Sequence, residues 1–512
     1  MVLPFFFNQK IRNIMKKYLF VLFLLLSPLF MKASFNFNQN CTDAFDLIIS
    51  LRFNEARKLI ANEKNVNPAN AIPFFLDNYI DFLGSFIGEE QASFDQYTDA
   101  MAIRKRRIER ESSDSPYYRY CIATMEMQVA FTRMKFGEYI KAAAEINRAY
   151  RLLERNNREY PDFIPQKLSL GMLHTLIGSI PDKYDWIRKA TGLKGTVNGG
   201  IQEMQQVFDI SQTNPKWKYL QNESLFLLSL TSINLAADKS FSEKILNWYN
   251  KEEGLQLVHE NPLMAYCKAN LCFKRGLNDQ GIQILSTRPN GPEFFHFHYL
   301  DYLLGVAKLN RLDNSAWAYL INFTANFRGK NFIRSAYQRI AWNYLINGDI
   351  KKYHEYMNRI PLVGDNTTDS DKKALSDFKS GEIPDVYLLK AQLLFDGGYY
   401  DRALEELAGF NQSTSKTEHH SLEYLYRLAR VYHESGKISE AIRYYNLTIE
   451  KGQDKPWYFA ANAALQLGMI YENMKKYDLA ATFYKKSLSM DPTEYKNSIS
   501  QKAEAGLSRI NR

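Results

Sequence analysis

The chain has 512 residues, with 65 Lys and Arg against 56 Asp and Glu and a formal net charge of +9. A hydrophobic fraction of 46% and a charged fraction of 24% exclude a disordered, collagen-like or multi-span membrane chain. Only 25 Gly and 16 Pro stand beside 33 Tyr and 33 Phe, which favours helices, and the length exceeds one ordinary core, so the chain is either several domains or a stacked array.

The first predicted element is a leader over residues 1–34. Lys16 and Lys17 precede the apolar run Tyr18 to Phe30, which Ser27 and Pro28 interrupt. That run is too short for a relaxed span of ~20 residues and matches the core of a secretory signal. Met15 opens the more typical leader, which makes residues 1–14 an upstream extension, and Ala33 and Ser34 offer the cleavage point. Removing 1–34 takes away Lys10, Arg12, Lys16, Lys17 and Lys32 and no acid, leaving 60 basic against 56 acidic residues and a net charge of +4. The expected destination is the periplasm or the outer membrane of a Gram-negative bacterium, with membrane association only through the N-terminal segment. Cys41 follows Asn38, Gln39 and Asn40 instead of small apolar residues, which argues against lipidation. Four cysteines, Cys41, Cys121, Cys267 and Cys272, make no disulfide scaffold in so long a chain. Cys267 and Cys272, if helical, face different ways.

Residues 35–360 read as a divergent array of helical hairpins. Ala44, Leu47, Ala56, Ile60 and Pro68 fall on the eighth, eleventh, twentieth, twenty-fourth and thirty-second slots of a two-helix repeat unit. Ala130, Ala142, Ile146 and Ala149 fit again, as do Ala269, Cys272, Gly281 and Leu285, and then Ala341, Tyr344, Gly348 and Met357. The densest basic run, Arg104 to Arg107 with Arg110, is followed at once by Glu109, Glu111 and Asp114. It reads as a solvated helix face, not a nucleic-acid site. A Gly-rich stretch with Pro181 at 178–200 interrupts a hairpin whose first helix carries Gly171 and His174. Residues 361–384, bounded by Pro361 and Pro384 and holding the acidic run Asp365 to Asp371, are expected to form a surface loop or linker with a short helix.

Residues 385–495 carry three regular copies of the unit. The last has Leu467-Gly468, Tyr471, Ala480, Tyr484 and Pro492; the middle one has Leu428-Ala429, Tyr432, Ala441 and Tyr445; the first has Tyr387, Ala391, Leu394, Ala403 and Leu407. Small residues at the eighth and twentieth slots let paired helices approach, and bulky residues fill the space between them. This is the spacing of the tetratricopeptide repeat. Gly397-Gly398, Gly436 and Lys475-Lys476 fall at the turns, and residues 496–512 complete the array as a capping helix and tail. The fold class expected is therefore all-α, a tetratricopeptide-like α-solenoid of stacked antiparallel hairpins.

The string at 168–204, with Gly171, Ile180-Pro181, Gly192, Gly195 and Gly199-Gly200, resembles the tetratricopeptide repeat protein 39 and inclusion-body clearance family. Leu303-Leu304-Gly305 and the stretch from Ala336 to Tyr344 resemble it too. The resemblance implies a helical-repeat fold and an adaptor-like, non-enzymatic role.

No chemical motif survives inspection. Gly192 to Gly200 has no G-x4-G-K-[ST] pattern and no preceding strand, so it is not a phosphate loop, and neither H-E-x-x-H nor G-x-S-x-G occurs. Glu418-His419-His420 and His296-x-His298 are ligand pairs without a visible third ligand, so no metal or other cofactor is expected. Function then falls to a groove. In tetratricopeptide arrays positions two, five, nine, twelve and thirteen of each first helix face it, as the family implies. These slots nominate Leu388, Gln392 and Phe395, then Tyr426, Arg430 and His433, then Asn462, Met469 and Asn473. The Lys/Asn clamp for a chaperone's terminal carboxylate is not reproduced, because Tyr426 and Arg430 occupy two of its positions. The reading is a non-enzymatic exported scaffold that holds a partner protein or peptide, with no nucleic acid. The alternatives are an outer-membrane glycan- or nutrient-binding protein and a metal-dependent enzyme around His419 and His420.

Overall fold

The structure, a computed structural model, describes residues 35–180, 191–235, 239–410 and 417–510. The leader and Pro181 lie outside them. Among the described residues the chain is helical throughout and no strand is present. No helix there is long and apolar enough to cross a membrane.

The helices in order are α1 Gln39–Ile49, α2 Phe53–Val66, α3 Ile72–Gly88, α4 Gln91–Ile108, α5 Pro116–Lys135, α6 Tyr139–Glu159 and α7 Ile164–Gly178. There follow α8 Val197–Thr213, α9 Gln221–Asn234, α10 Lys239–Tyr249, α11 Glu252–Glu260, α12 Pro262–Lys274 and α13 Asn278–Ser286. Next come α14 Tyr299–Asn310, α15 Ala316–Asn326, α16 Ile333–Ile346, α17 Ile350–Met357 and α18 Asp369–Ser380. The C-terminal set is α19 Val386–Asp396, α20 Tyr400–Gly409, α21 Glu418–Glu434, α22 Ile438–Gly452, α23 Phe459–Asn473, α24 Tyr477–Leu488 and α25 Lys496–Ile510. Neighbours in sequence pack as antiparallel pairs, and each pair stacks on the next. This is an α-solenoid, as the period of small residues predicts.

Short polar side chains start many of these helices. Asn38, Ser115, Thr196, Asn261, Thr368, Asp385 and Thr417 each accept a hydrogen bond from a first-turn backbone N–H. Each such cap contributes about 1 kcal/mol. The predicted close-approach positions are buried: Ala44, Ala56, Ala130, Ala269, Ala341, Ala429, Ala441 and Ala480 are all closed to solvent.

The glycines around 171–200 have a physical reason. They let α7 and α8 cross with their backbones in contact. A Cβ on Gly171 would lie 2.7 Å from Gly200 O, one on Gly195 would lie 2.6 Å from His174 Cα, and one on Gly200 would lie 2.7 Å from Thr175 N.

Residues 361–384 hold the expected short helix, but the segment is not a free loop or linker. Their helix α18 is packed against α16, and Asp371 is buried, accepting hydrogen bonds from Phe332 N (2.6 Å) and Ser335 N (3.0 Å). A buried carboxylate that caps a neighbouring helix ties the segment into the array.

Distant hairpins also meet. Phe295 N donates to Leu51 O at 2.7 Å. Glu89, a left-handed residue at the end of α3, accepts from Lys135 Nζ (2.7 Å) and Asn331 Nδ2 (2.6 Å). Gly276 and Gly398 touch backbone to backbone, so that a Cβ on Gly398 would lie 2.7 Å from Gly276 Cα.

The apolar interior divides unevenly. One continuous core runs from Cys41 to Cys272. From Leu300 onward the core breaks into smaller clusters, each shared by successive hairpins. All four cysteines are buried and unpaired.

Candidate functional site

The first helices of the three regular hairpins, α19, α21 and α23, wall a cleft that α16, α18 and α25 help to close. It consists of two adjoining cavities of about 520 and 300 Å3. Gln392, Asp396, Arg427, Tyr458 and Tyr495 line both.

Five of the nominated residues, Gln392, Phe395, Tyr426, Arg430 and Asn462, come together around the smaller cavity. Leu388 lines the larger one, though its side chain belongs to the core at 1% exposure. The other three lie outside both cavities. His433 packs against Tyr445, with Nδ1 3.3 Å from the Tyr445 hydroxyl. Met469 and Asn473 are exposed at the C-terminal end of α23, where the helix has turned its ninth and thirteenth slots away from the cleft.

The strongest polar feature was not nominated. Arg427 donates from Nη2 to Gln392 Oε1 at 2.7 Å and from Nε to Glu423 Oε1 at 2.7 Å. Burial pushes the Glu423 carboxyl up, but the Arg427 charge, with His419 and His420 nearby, outweighs it and holds Glu423 below the usual carboxylate range. Glu423 and Asp385 occupy the second slot of their helices, as Asn462 does, so consistent use of that slot finds them. Tyr458 precedes α23 and no slot names it.

Aromatic rings brace the charged groups. The Arg430 guanidinium lies 5.1 Å over the Phe395 ring. Tyr426 meets Tyr458 edge-on at 5.7 Å and Phe459 at 5.4 Å.

The predicted absence of a third ligand for His419 and His420 is corrected. Glu382, from the turn after α18, places Oε1 3.2 Å from His419 Nδ1 and 3.3 Å from His420 Nε2. The other pair, His296 and His298, stacks ring on ring at 5.7 Å and gathers no such group among the described residues. Three members of the basic run on α4 are held in ion pairs: Arg104 with Asp81 at 2.6 Å, Lys105 with buried Glu126, and Arg107 with buried Glu111.

The tetratricopeptide-repeat family matches this chain at residues 422–450 and again at 461–494. Two of the hairpins that wall the cleft, α21–α22 and α23–α24, are tetratricopeptide repeats. Arrays of this kind bind protein partners along their extended surfaces. Among solved structures, the chain is similar to yeast Tom70, at 13% identity over 99% of this chain and 94% of that one, with a TM-score of 0.23. It is also similar to the Cut9–Hcn1 hetero-tetramer of the APC/C, at 12% identity over 92% and 95%, with a TM-score of 0.22. These values mark a loose likeness. No curated protein matches the chain.

Proposed function

We propose that this protein is a non-enzymatic, exported scaffold that holds a segment of a partner protein in the groove formed by its C-terminal tetratricopeptide hairpins. One observation carries the reading: three successive first helices present a single continuous cleft, with Gln392, Arg427 and Tyr458 common to both of its halves. A wall of aromatic rings interleaved with Arg and carboxylates suits a peptide segment, whose backbone and mixed side chains need both apolar contact and hydrogen-bond partners. The resemblance of residues 168–204 to an adaptor family leans the same way. Export rests on the sequence of residues 15–34.

A photo-crosslinking residue placed at Gln466, which lines the cleft, tests the groove in the full chain. The expected result is a discrete adduct that disappears in an Arg430→Ala, Asn462→Ala background and is absent when the same residue stands at Ile103, which is 62% exposed on α4. Equal labelling from both positions sinks the reading. N-terminal sequencing of the mature protein tests export: a start near residue 35 supports it, and an intact leader in a membrane fraction replaces export with anchoring.

A further inference from the structure

We propose that Glu382, His419 and His420 form a binding site for a divalent first-row transition cation, zinc being the ion this donor set suits. The inference goes beyond the groove reading, because it stands on side-chain geometry and needs no partner protein.

Three donors of the right chemistry converge. One ligand atom from each residue lies within 4.8 Å of the others. A single carboxylate oxygen, Glu382 Oε1, faces both imidazoles, at 3.2 Å from His419 Nδ1 and 3.3 Å from His420 Nε2. Charge-assisted N–H···O bonds settle at about 2.7–2.9 Å. Ligand atoms held at about 2.0–2.1 Å around a tetrahedral zinc stand roughly 3.3 Å apart. The two carboxylate–imidazole separations fit edges of such a cage better than a closed ion pair, and the buried His419 Nδ1 makes no hydrogen bond. Two imidazoles with one carboxylate favour zinc and its neighbours over magnesium or calcium, which demand oxygen ligands.

The surroundings hold the set in place. Thr417 caps the helix that carries both histidines, accepting from His420 N at 3.1 Å. The His419 ring is wedged between Trp457 at 5.0 Å and Phe459 at 5.2 Å. All three ligands line the larger cavity of the cleft, so the remaining coordination position opens into it for water. The bound ion would clamp the turn after α18 to the start of α21.

The test uses the full chain, stripped with a chelator and dialysed, then titrated with zinc and separately with magnesium. The expected result is one zinc bound per chain, a zinc-dependent rise in melting temperature, and no response to magnesium. Glu382 is exposed, so Glu382→Gln should fold normally and weaken zinc binding by at least about ten-fold. His419→Asn should abolish the stoichiometric site, whereas His354→Asn, on α17, should leave it unchanged. Absence of stoichiometric zinc in the unsubstituted chain overturns the proposal and leaves a Glu–His ion pair. So does zinc binding undiminished in both ligand variants, which would place the ion elsewhere.

Discussion

The two ends of the array solve the same packing problem differently. In the C-terminal hairpins, small residues face aromatic side chains: a Cβ on Gly468 would lie 2.5 Å from Tyr484 Cδ1, Ala441 packs in one cluster with Tyr445, and Ala480 in the next with Tyr484. Each of these contacts joins a helix to its partner or to the next hairpin. In the N-terminal part, backbone meets backbone at Gly171 and Gly200, and one core runs through many hairpins. That core also takes in polar groups. Asn78 donates to Gln128 at 2.7 Å, Asn156 to Gln166 at 2.7 Å, and the Tyr79 hydroxyl to Glu223. A repeated interface tolerates change at one layer; a shared core transmits it to several.

The largest expected effect tests that contrast directly. Gly200→Ala forces a methyl group against the Gly171 carbonyl and Thr175 N, neither of which can rotate away, and should cost about 3 kcal/mol. A thermal melt followed by circular dichroism reads it. The second effect has the opposite sign. Burial raises Glu223 from 4.5 to about 7, against the smaller lowering by the Tyr79 hydrogen bond. The folded chain therefore binds the extra proton between those values, and the stability Glu223 contributes falls as pH rises from 4.5 through 7. The full loss is about 3 kcal/mol for a shift of this size. Glu223→Gln should melt higher than the unsubstituted chain at about pH 8 and lose that advantage near pH 4.5. An advantage that is flat with pH would show that the carboxylate is not the source.

Third comes Gly468→Ala, where the obstacle is a ring that can tilt; about 1–2 kcal/mol is expected. If it costs as much as Gly200→Ala, the distinction between the two kinds of interface fails. The smallest effect is Arg430→Ala. Removing the cation–π contact with Phe395 should cost about 0.5–1 kcal/mol of stability, so a melt moves little while crosslinking in the cleft is lost.

The same contrast explains what the sequence made legible. The C-terminal slots stand out because α22 and α24 bury only one stripe each, leaving polar faces to mark the period. Helix α5 is buried on every side, Glu126 and Gln128 included, so its pattern carries no helical period and matched the template only weakly. In the cleft, the fifth and ninth slots found Gln392, Tyr426 and Arg430 because helix geometry fixes them. Tyr458 and Glu382 come from connecting segments, and no helical spacing relates either to the residues it joins. The third member of the histidine cluster was invisible for that reason: His419 and His420 are adjacent and stand out as a pair, but the Glu382 carboxylate arrives through the fold.

Glu89 has a consequence for how the molecule comes apart. In an ordinary solenoid each unit touches only its neighbours, and end units can be trimmed one at a time. Here Glu89 is held by both Lys135 and Asn331, and Leu51 O receives Phe295 N. The opening hairpins are buckled to units far along the chain. Truncation before α4 would remove Leu51 and Glu89 together, so its effect should reach beyond the neighbouring unit to the segments that carry Phe295 and Asn331.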